Sequence, residues 1–137
     1  MLSLVVEDDF VCRKALSAQL ARFGDCDIAS DGVEALQAVD LALADGRPYD
    51  LICLDIQMPN LDGQATLKAL RLREQAAGYP IGKGAKVLMT TSMSDKDNIF
   101  GAFRGNADGY LTKPITTEGL AQALGQLGLV PGQESLG

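Results

Sequence analysis

The chain has 137 residues, 47% of them apolar and 22% charged, with a formal net charge of −6. This composition is typical of one globular domain, and the negative charge argues against a nucleic-acid surface because phosphate backbones attract clustered Lys and Arg. There is no histidine, which excludes a catalytic histidine, a histidine metal site and a phosphohistidine carrier within this chain.

Five short apolar runs alternate with amphipathic stretches. The first run, Leu2 to Val6 with Ser3 inside it, is too short for a signal peptide or a membrane span, so no membrane contact is predicted. The later runs predict four more strands, at Cys26–Ala29, Leu51–Leu54, Val87–Thr91 and Tyr110–Thr112.

Apolar residues at helical spacing predict a helix after each strand. The five stripes are Cys12, Leu16, Leu20 and Phe23; Val33, Leu36, Val39 and Leu43; Leu67 and Leu70; Ile99, Ala102 and Phe103; and Leu120, Leu124 and Leu127. Asp31 before Glu34 and Ser94 before Asp97 predict the starts of the second and fourth helices. Glycines predict where three helices end: Gly24, Gly46 and Gly105.

Strict alternation of strands and helices predicts an α/β fold with a parallel sheet covered on both faces. Right-handed crossovers favour the doubly wound, flavodoxin-like (βα)5 arrangement with five strands in the order 2-1-3-4-5. We expect a single domain over residues 1–128, followed by a frayed tail over residues 129–137.

Polar side chains end four of the predicted strands. Glu7 and Asp8 follow strand 1, Asp55 follows strand 3, Thr91 ends strand 4 and Lys113 follows strand 5. In an open α/β sheet, ligands bind beyond the carboxyl ends of the strands, where the strand order reverses. We therefore expect these five side chains to converge there.

Three carboxylates at one point repel each other and need a cation. Hard oxygen ligands with open coordination positions suit Mg²⁺, with Mn²⁺ as a substitute. If the ligand is a phosphoryl group, Lys113 would place a positive charge beside one of its oxygens, and the hydroxyl of Thr91 would donate a hydrogen bond to another. An aspartate nucleophile, a divalent metal and a lysine are the parts that phosphoryl transfer requires.

Four segments together resemble the response-regulator receiver family of two-component signalling, in order and plausibly spaced. They are residues 5–9 (VVEDD), 50–63 (DLICLDIQMPNLDG), 89–92 (MTTS) and 109–114 (GYLTKP). Each motif alone is weak, but the set is specific, and the resemblance runs from about Leu2 to Leu127.

The resemblance implies a CheY-like phosphoacceptor. A sensor histidine kinase or a histidine phosphotransfer protein would phosphorylate Asp55. Asp8 and Asp55 would bind Mg²⁺ directly, Glu7 would bind it mainly through water, and the backbone carbonyl of Gln57 would be a further ligand. Such a domain catalyses its own phosphorylation and dephosphorylation and is not a turnover enzyme.

The resemblance also implies how the phosphoryl group would be read and removed. Thr91 and Tyr110 resemble the family's coupled switch, acting on a partner surface of helix 4, strand 5 and helix 5. Gln57 and Met93 would flank the approach of the hydrolytic water. A cis bond is expected between Lys113 and Pro114. The kinase and the downstream target are not named by the sequence.

Simpler roles compete at several positions. Glu7 and Asp8 could be first-turn acids of a helix, a role open to Asp9 instead. Thr90, Ser92 and Ser94 compete with Thr91. Tyr110 could be an ordinary core tyrosine.

Two features lie outside this site. The connection 76–85 is longer than usual in the family and should be a surface excursion. The three cysteines (Cys12, Cys26 and Cys53) are scattered without a C-x-x-C pattern, which favours buried thiols in a reducing cytoplasm over a disulfide or a metal site.

Three other functions remain to be weighed. A phosphatase of the haloacid dehalogenase type also uses an aspartate and Mg²⁺, but it would need a second carboxylate where Gln57 stands. A flavodoxin-like nucleotide binder would need a Gly- or Ser-rich turn where the acidic residues 7–9 stand. A receiver that no longer accepts phosphate is disfavoured by the intact acid, threonine and lysine set.

Overall fold

The computed structural model describes residues 1–56, 58, 61–80, 82–92 and 107–129. Its five strands form one parallel sheet in the order β2-β1-β3-β4-β5. They are β1 (Ser3–Val6), β2 (Cys26–Ala29), β3 (Leu51–Asp55), β4 (Lys86–Thr91) and β5 (Gly109–Thr112). The predicted strand order and the α/β class are confirmed.

Four α-helices pack on this sheet within the described ranges. They are α1 (Phe10–Leu20), which continues as a 3-10 turn (Ala21–Phe23), α2 (Gly32–Ala44), α3 (Gly63–Ala76) and the C-terminal helix (Thr117–Gln126). The fourth predicted helix, with Ser94, Ile99 and Gly105, lies outside the described residues. None of the helices described is long and apolar enough to cross a membrane.

The central strands are apolar because both of their faces are covered. Every residue of β1 and β3 is buried, as expected of parallel strands between two helical layers. On one face the strands pack against α2 and α3, through Leu4, Val6, Ile52, Leu54, Val87 and Met89. On the other face they pack against α1 and the C-terminal helix, through Val5, Leu51, Cys53 and Leu88.

Helix α2 begins at a capped turn, as the sequence predicts. The Asp31 carboxylate accepts a hydrogen bond from Glu34 N at 2.8 Å. The Glu34 carboxylate reaches past the cap residue to the backbone N–H (3.0 Å) and the hydroxyl (2.7 Å) of Ser30. The expectation that Val33 lies on the buried stripe was wrong, because it is 46% exposed. The buried face of α2 runs through Gly32, Ala35, Leu36 and Val39, and Val33 lies about 100° from its neighbour Gly32 around the helix.

The long connection after α3 is mostly exposed in its described part, but its end is anchored. The buried Glu74 accepts the backbone N–H of Ala85 at 2.7 Å and pairs with Arg71 Nη1 at 2.7 Å. Arg71 Nη2 also contacts Asp108 Oδ2, at 3.1 Å, just before β5. This network closes the amino end of the sheet, opposite the predicted site.

The cysteines differ in their surroundings. Cys53 is buried and free, whereas Cys12 and Cys26 are free but only half-buried. The expectation of buried thiols therefore holds for Cys53 alone. Cys12 lies on the first turns of α1, and Cys26 lies on β2 at the edge of the sheet, so neither is enclosed on all sides.

Candidate functional site

The carboxyl ends of β1, β3, β4 and β5 surround a pocket of about 270 Å³. The pocket lies where the strand order reverses between β1 and β3, which is where ligands bind in doubly wound folds. Five of the eight lining residues are the predicted ones, and the full lining is Glu7, Asp8, Asp9, Asp55, Ile56, Thr91, Ser92 and Lys113.

Glu7 is the most enclosed of the three predicted metal-binding acids, with 3% of its surface exposed. Its Oε2 lies 2.9 Å from Lys113 Nζ, and its Oε1 accepts the backbone N–H of Asp9 at 3.2 Å. Its backbone is held by Ala29 O, which accepts Glu7 N–H at 3.1 Å, and by Arg13 Nη1, which donates to Glu7 O at 2.9 Å. Sequence reasoning missed Arg13, which lies on the first turn of α1 and faces back toward β1.

Asp8 and Asp9 have separate roles. Asp9 is the N-cap of α1, and its Oδ1 accepts from Val11 N at 2.9 Å and from Cys12 N at 3.1 Å. The bond from Cys12 N, aided by that from Val11 N, lowers the pKa of Asp9 against a smaller opposing effect of burial. The cap of α1 is therefore supplied by Asp9, and Asp8 is left exposed at the pocket.

Asp55 is the last residue of β3, and 5% of its surface is exposed. Its Oδ1 lies 3.4 Å from Lys113 Nζ. The next residue is held on two sides, because Ile56 N donates to Thr90 O at 3.2 Å and Ile56 O accepts from Gly63 N at 2.9 Å. The backbone that carries the Asp55 carboxylate is thus tied to both β4 and α3.

Lys113 connects two of the acids, since its Nζ contacts both Glu7 and Asp55. Burial disfavours the charged ammonium, but the hydrogen bond with Glu7 and the charges of Asp55 and Glu7 outweigh it and raise the pKa of Lys113. The backbone N–H of Lys113 donates to Thr91 O at 2.7 Å. The Lys113–Pro114 peptide bond is cis, as expected.

Thr91 ends β4 with 3% of its surface exposed, and its hydroxyl donates to the carbonyl of Ser92 at 3.0 Å. Thr90 is equally buried but does not line the pocket, whereas Ser92 does. Tyr110 is half-buried in β5 and packs against the core cluster beneath α2 and α3. Gln57 and Met93 lie outside the described residues, so their predicted roles stay predictions.

The three acids form a group that could hold one metal ion. One ligand oxygen from each of Glu7, Asp8 and Asp55 lies within 4.8 Å of the others. Oxygens on opposite sides of a Mg²⁺ ion are about 4.2 Å apart, twice the metal–oxygen distance. Small side-chain movements would therefore suit the group to Mg²⁺ or Mn²⁺, and the donor type fits both ions.

Comparison with known proteins agrees with this geometry. The profile of the response regulator receiver domain matches residues 3–125. The transcriptional activator protein PfeR of Pseudomonas aeruginosa is 40% identical over 114 residues, which are 82% of this chain and 33% of that protein. The osmosensing histidine protein kinase SLN1 of Saccharomyces cerevisiae is 31% identical over 114 residues, which are 82% of this chain and 9% of that protein.

A solved structure shares the fold over nearly the whole chain. The chemotaxis protein CheY4 of Vibrio cholerae is 29% identical, with a TM-score of 0.69 over 91% of this chain and 96% of its own. The chain spans a third or less of the two curated relatives, so the match concerns one domain of each. With the profile, the strand order and the acidic pocket in agreement, the chain belongs to the response regulator receiver domain family of two-component signalling.

Proposed function

We propose that this domain, residues 1–128, accepts a phosphoryl group on Asp55 from the phosphohistidine of a sensor histidine kinase or a histidine phosphotransfer protein. One observation carries the proposal: Lys113 Nζ lies 3.4 Å from Asp55 Oδ1 and 2.9 Å from Glu7 Oε2 in an acidic pocket. A lysine so placed can hold both the nucleophile and an incoming phosphoryl oxygen.

The transfer is an in-line displacement at phosphorus. An Asp55 Oδ forms the new O–P bond while the P–N bond of the phosphohistidine breaks, and its electron pair stays on the imidazole nitrogen. Lys113 and the Thr91 hydroxyl would donate to the equatorial phosphoryl oxygens, where charge is spread in the transition state. Mg²⁺ held by Glu7, Asp8 and Asp55 would supply further charge neutralisation.

Thr91 then links chemistry to signalling. In this proposal its hydroxyl leaves the Ser92 carbonyl, 3.0 Å away, for the phosphoryl group, and Tyr110 on the neighbouring strand responds. The surface that changes would include β5 and the C-terminal helix. Hydrolysis of the acyl phosphate ends the signal, with Gln57 and Met93 proposed to flank the attacking water.

The test is the intact mass after incubation with Mg²⁺ and acetyl phosphate or phosphoramidate. We expect one added phosphoryl group, labile to hydroxylamine, and none on Asp55→Asn because an amide does not attack phosphorus. Asp25→Asn is the matched control: it removes one charge from an exposed position just before β2 and should label normally. Stoichiometric labelling of Asp55→Asn would move the acceptor elsewhere.

Two further measurements separate the roles. Thr91→Ala should accept phosphate more slowly but show no phosphorylation-dependent amide shifts in β5, because the hydroxyl that responds is gone. Steady turnover of p-nitrophenyl phosphate would instead indicate a phosphatase and contradict the acceptor role.

A further inference from the structure

The described ends of the loop that follows Asp55 lie against the first turns of two helices. Loop 56–62 joins β3 to α3, and four of its residues are described: Ile56, Met58, Leu61 and Asp62. At each end it meets a buried glycine, Gly63 of α3 or Gly32 of α2. Both glycines occupy the first position of their helices, so the helix backbones themselves lie in contact with the described residues of the loop.

At Gly63, α3 approaches the backbone of the acceptor. A Cβ atom added to Gly63 would lie 2.8 Å from Ile56 Cα and still closer to the carbonyl oxygen of Asp55. Real Cβ atoms essentially never come within 3.0 Å of other heavy atoms, and both of these neighbours are backbone, which cannot rotate away. Only glycine allows the 2.9 Å hydrogen bond from Gly63 N to Ile56 O in this geometry.

At Gly32, α2 lies against Leu61, near the other end of the loop. A Cβ there would lie 2.7 Å from Leu61 O and closer still to Thr66 Oγ1. Thr66 is 2% exposed, and its hydroxyl donates to Asp62 O at 2.8 Å. The hydroxyl of Thr66 therefore links the first turn of α3 to the same loop that Gly32 supports.

These contacts bear on the acceptor because its carboxylate must meet three groups at once. Asp55 Oδ1 lies 3.4 Å from Lys113 Nζ, and an Asp55 oxygen lies within 4.8 Å of those of Glu7 and Asp8. A misplacement of about 1 Å can cost on the order of 100-fold in rate. A Cβ at Gly63 would require a displacement of roughly this size, judged from the contact distances that ordinary carbon atoms keep.

We propose that Gly63, Gly32 and Thr66 are positioning residues for Asp55: they hold Ile56, Leu61 and Asp62 in place and thereby aim the acceptor carboxylate at Lys113 and the acidic pair. The inference rests on the proposed phosphoacceptor function. It adds that the rate of phosphorylation is set in part by α2, a helix that contributes no side chain to the pocket.

The test compares five variants with the unaltered chain by initial rates of phosphorylation from acetyl phosphate at saturating Mg²⁺. Gly63→Ala should lower the maximal rate by about tenfold or more, and Gly32→Ala and Thr66→Val by at least about threefold, within the range that a misplacement on the order of 1 Å can cause. Thr66→Ser, which keeps the hydroxyl, should recover most of the rate. Val39→Ala is the matched control and should keep the rate, because Val39 lies on the same buried face of α2 as Gly32 but about two turns further along the helix, beside a small cavity that Tyr49 and Leu70 also line.

Urea unfolding of each variant separates positioning from general destabilisation. Because Gly32 and Gly63 act on one loop, the double variant should lose less than the product of the two single losses. In the double variant Gly63→Ala/Val39→Ala, by contrast, the rate loss should equal the product of the two single losses. A rate loss in Val39→Ala equal to that of the glycine variants at equal stability would overturn the inference.

The remaining outcomes also decide. Unchanged rates in both Gly32→Ala and Thr66→Val would overturn this inference, whatever the rate of Gly63→Ala, and would leave the proposed function standing. If Gly63→Ala does not fold, the rates of Gly32→Ala and Thr66→Val decide the test. An unaltered chain that takes up no phosphate overturns the proposed function and, with it, this inference. A rate lost in Thr66→Val and not recovered in Thr66→Ser removes Thr66 from the set.

Discussion

Asp8→Asn should make the metal-free protein more stable while weakening its response to Mg²⁺. Asp8 contributes an oxygen that lies within 4.8 Å of those of Glu7 and Asp55. Two unit charges at that separation repel by about 0.9 kcal/mol at a dielectric constant near 80 and by about 3.5 kcal/mol near 20. Asp8 is exposed, so the lower value is the relevant one for each of its two pairs.

The repulsion relieved is therefore about 2 kcal/mol. Lys113, which pairs with the other two acids, is also attracted to Asp8, and losing that attraction offsets part of the gain. A net stabilisation of about 1 kcal/mol remains at low ionic strength, and it should shrink in ~1 M salt, where the screening length is about 3 Å.

Urea unfolding with a chelator, and again with Mg²⁺, measures both effects. The unaltered chain should gain about 2.7 kcal/mol at a Mg²⁺ concentration of about 100 times its dissociation constant, and Asp8→Asn should gain far less at the same concentration. Asp25→Asn is the control, since it removes the same charge at an exposed position outside the pocket. The reasoning is refuted if Asp8→Asn is no more stable than the unaltered chain in chelator, or if Asp25→Asn gains as much.

Three further predictions concern groups outside the pocket. Glu74→Ala should cost about 2 kcal/mol in urea unfolding, because it leaves the buried N–H of Ala85 without its acceptor, while Glu74→Gln should cost less; equal costs would contradict this. Burial raises the pKa of Cys53 to about 12, so iodoacetamide near pH 8 should label this thiol only in unfolded protein, as peptide mass mapping would show. The pKa of Glu34 is lowered from its usual 4.5, first by the backbone N–H and then by the hydroxyl of Ser30. The ionised Glu34 carboxylate therefore contributes its full stabilisation above about pH 4.5, and that contribution is lost as the pH falls through the lowered pKa. Glu34→Gln should therefore reduce the loss of stability between neutral pH and about pH 3, and an unchanged acid profile would rule out this contribution.

The sheet could be predicted from the sequence because its central strands are fully buried. Residues 4–6 and 51–54 are continuous apolar runs that can only be satisfied between two layers of helices. Once the alternation of strands and helices is accepted, right-handed crossovers leave few strand orders. The convergence of Glu7, Asp55, Thr91 and Lys113 then follows, because each stands at the carboxyl end of a strand.

Short-range choices needed the tertiary structure. Asp8 and Asp9 are chemically alike and adjacent, and the turn after β1 decides that Asp9 caps α1 while Asp8 lines the pocket. Val33 fits a helical stripe as well as its neighbours do, yet the rotation of α2 on the sheet leaves it 46% exposed.

The contacts that we propose to position Asp55 could not be read from the sequence at all. Gly32 and Gly63 look like ordinary turn residues, and the role of each depends on a backbone brought against it from elsewhere in the chain. The sequence alone determined which chemical groups end the strands, since strand periodicity is a local property of the chain. Only the tertiary structure decided how closely the helix backbones approach Ile56 and Leu61, because that distance depends on how α2 and α3 pack on the sheet and on each other.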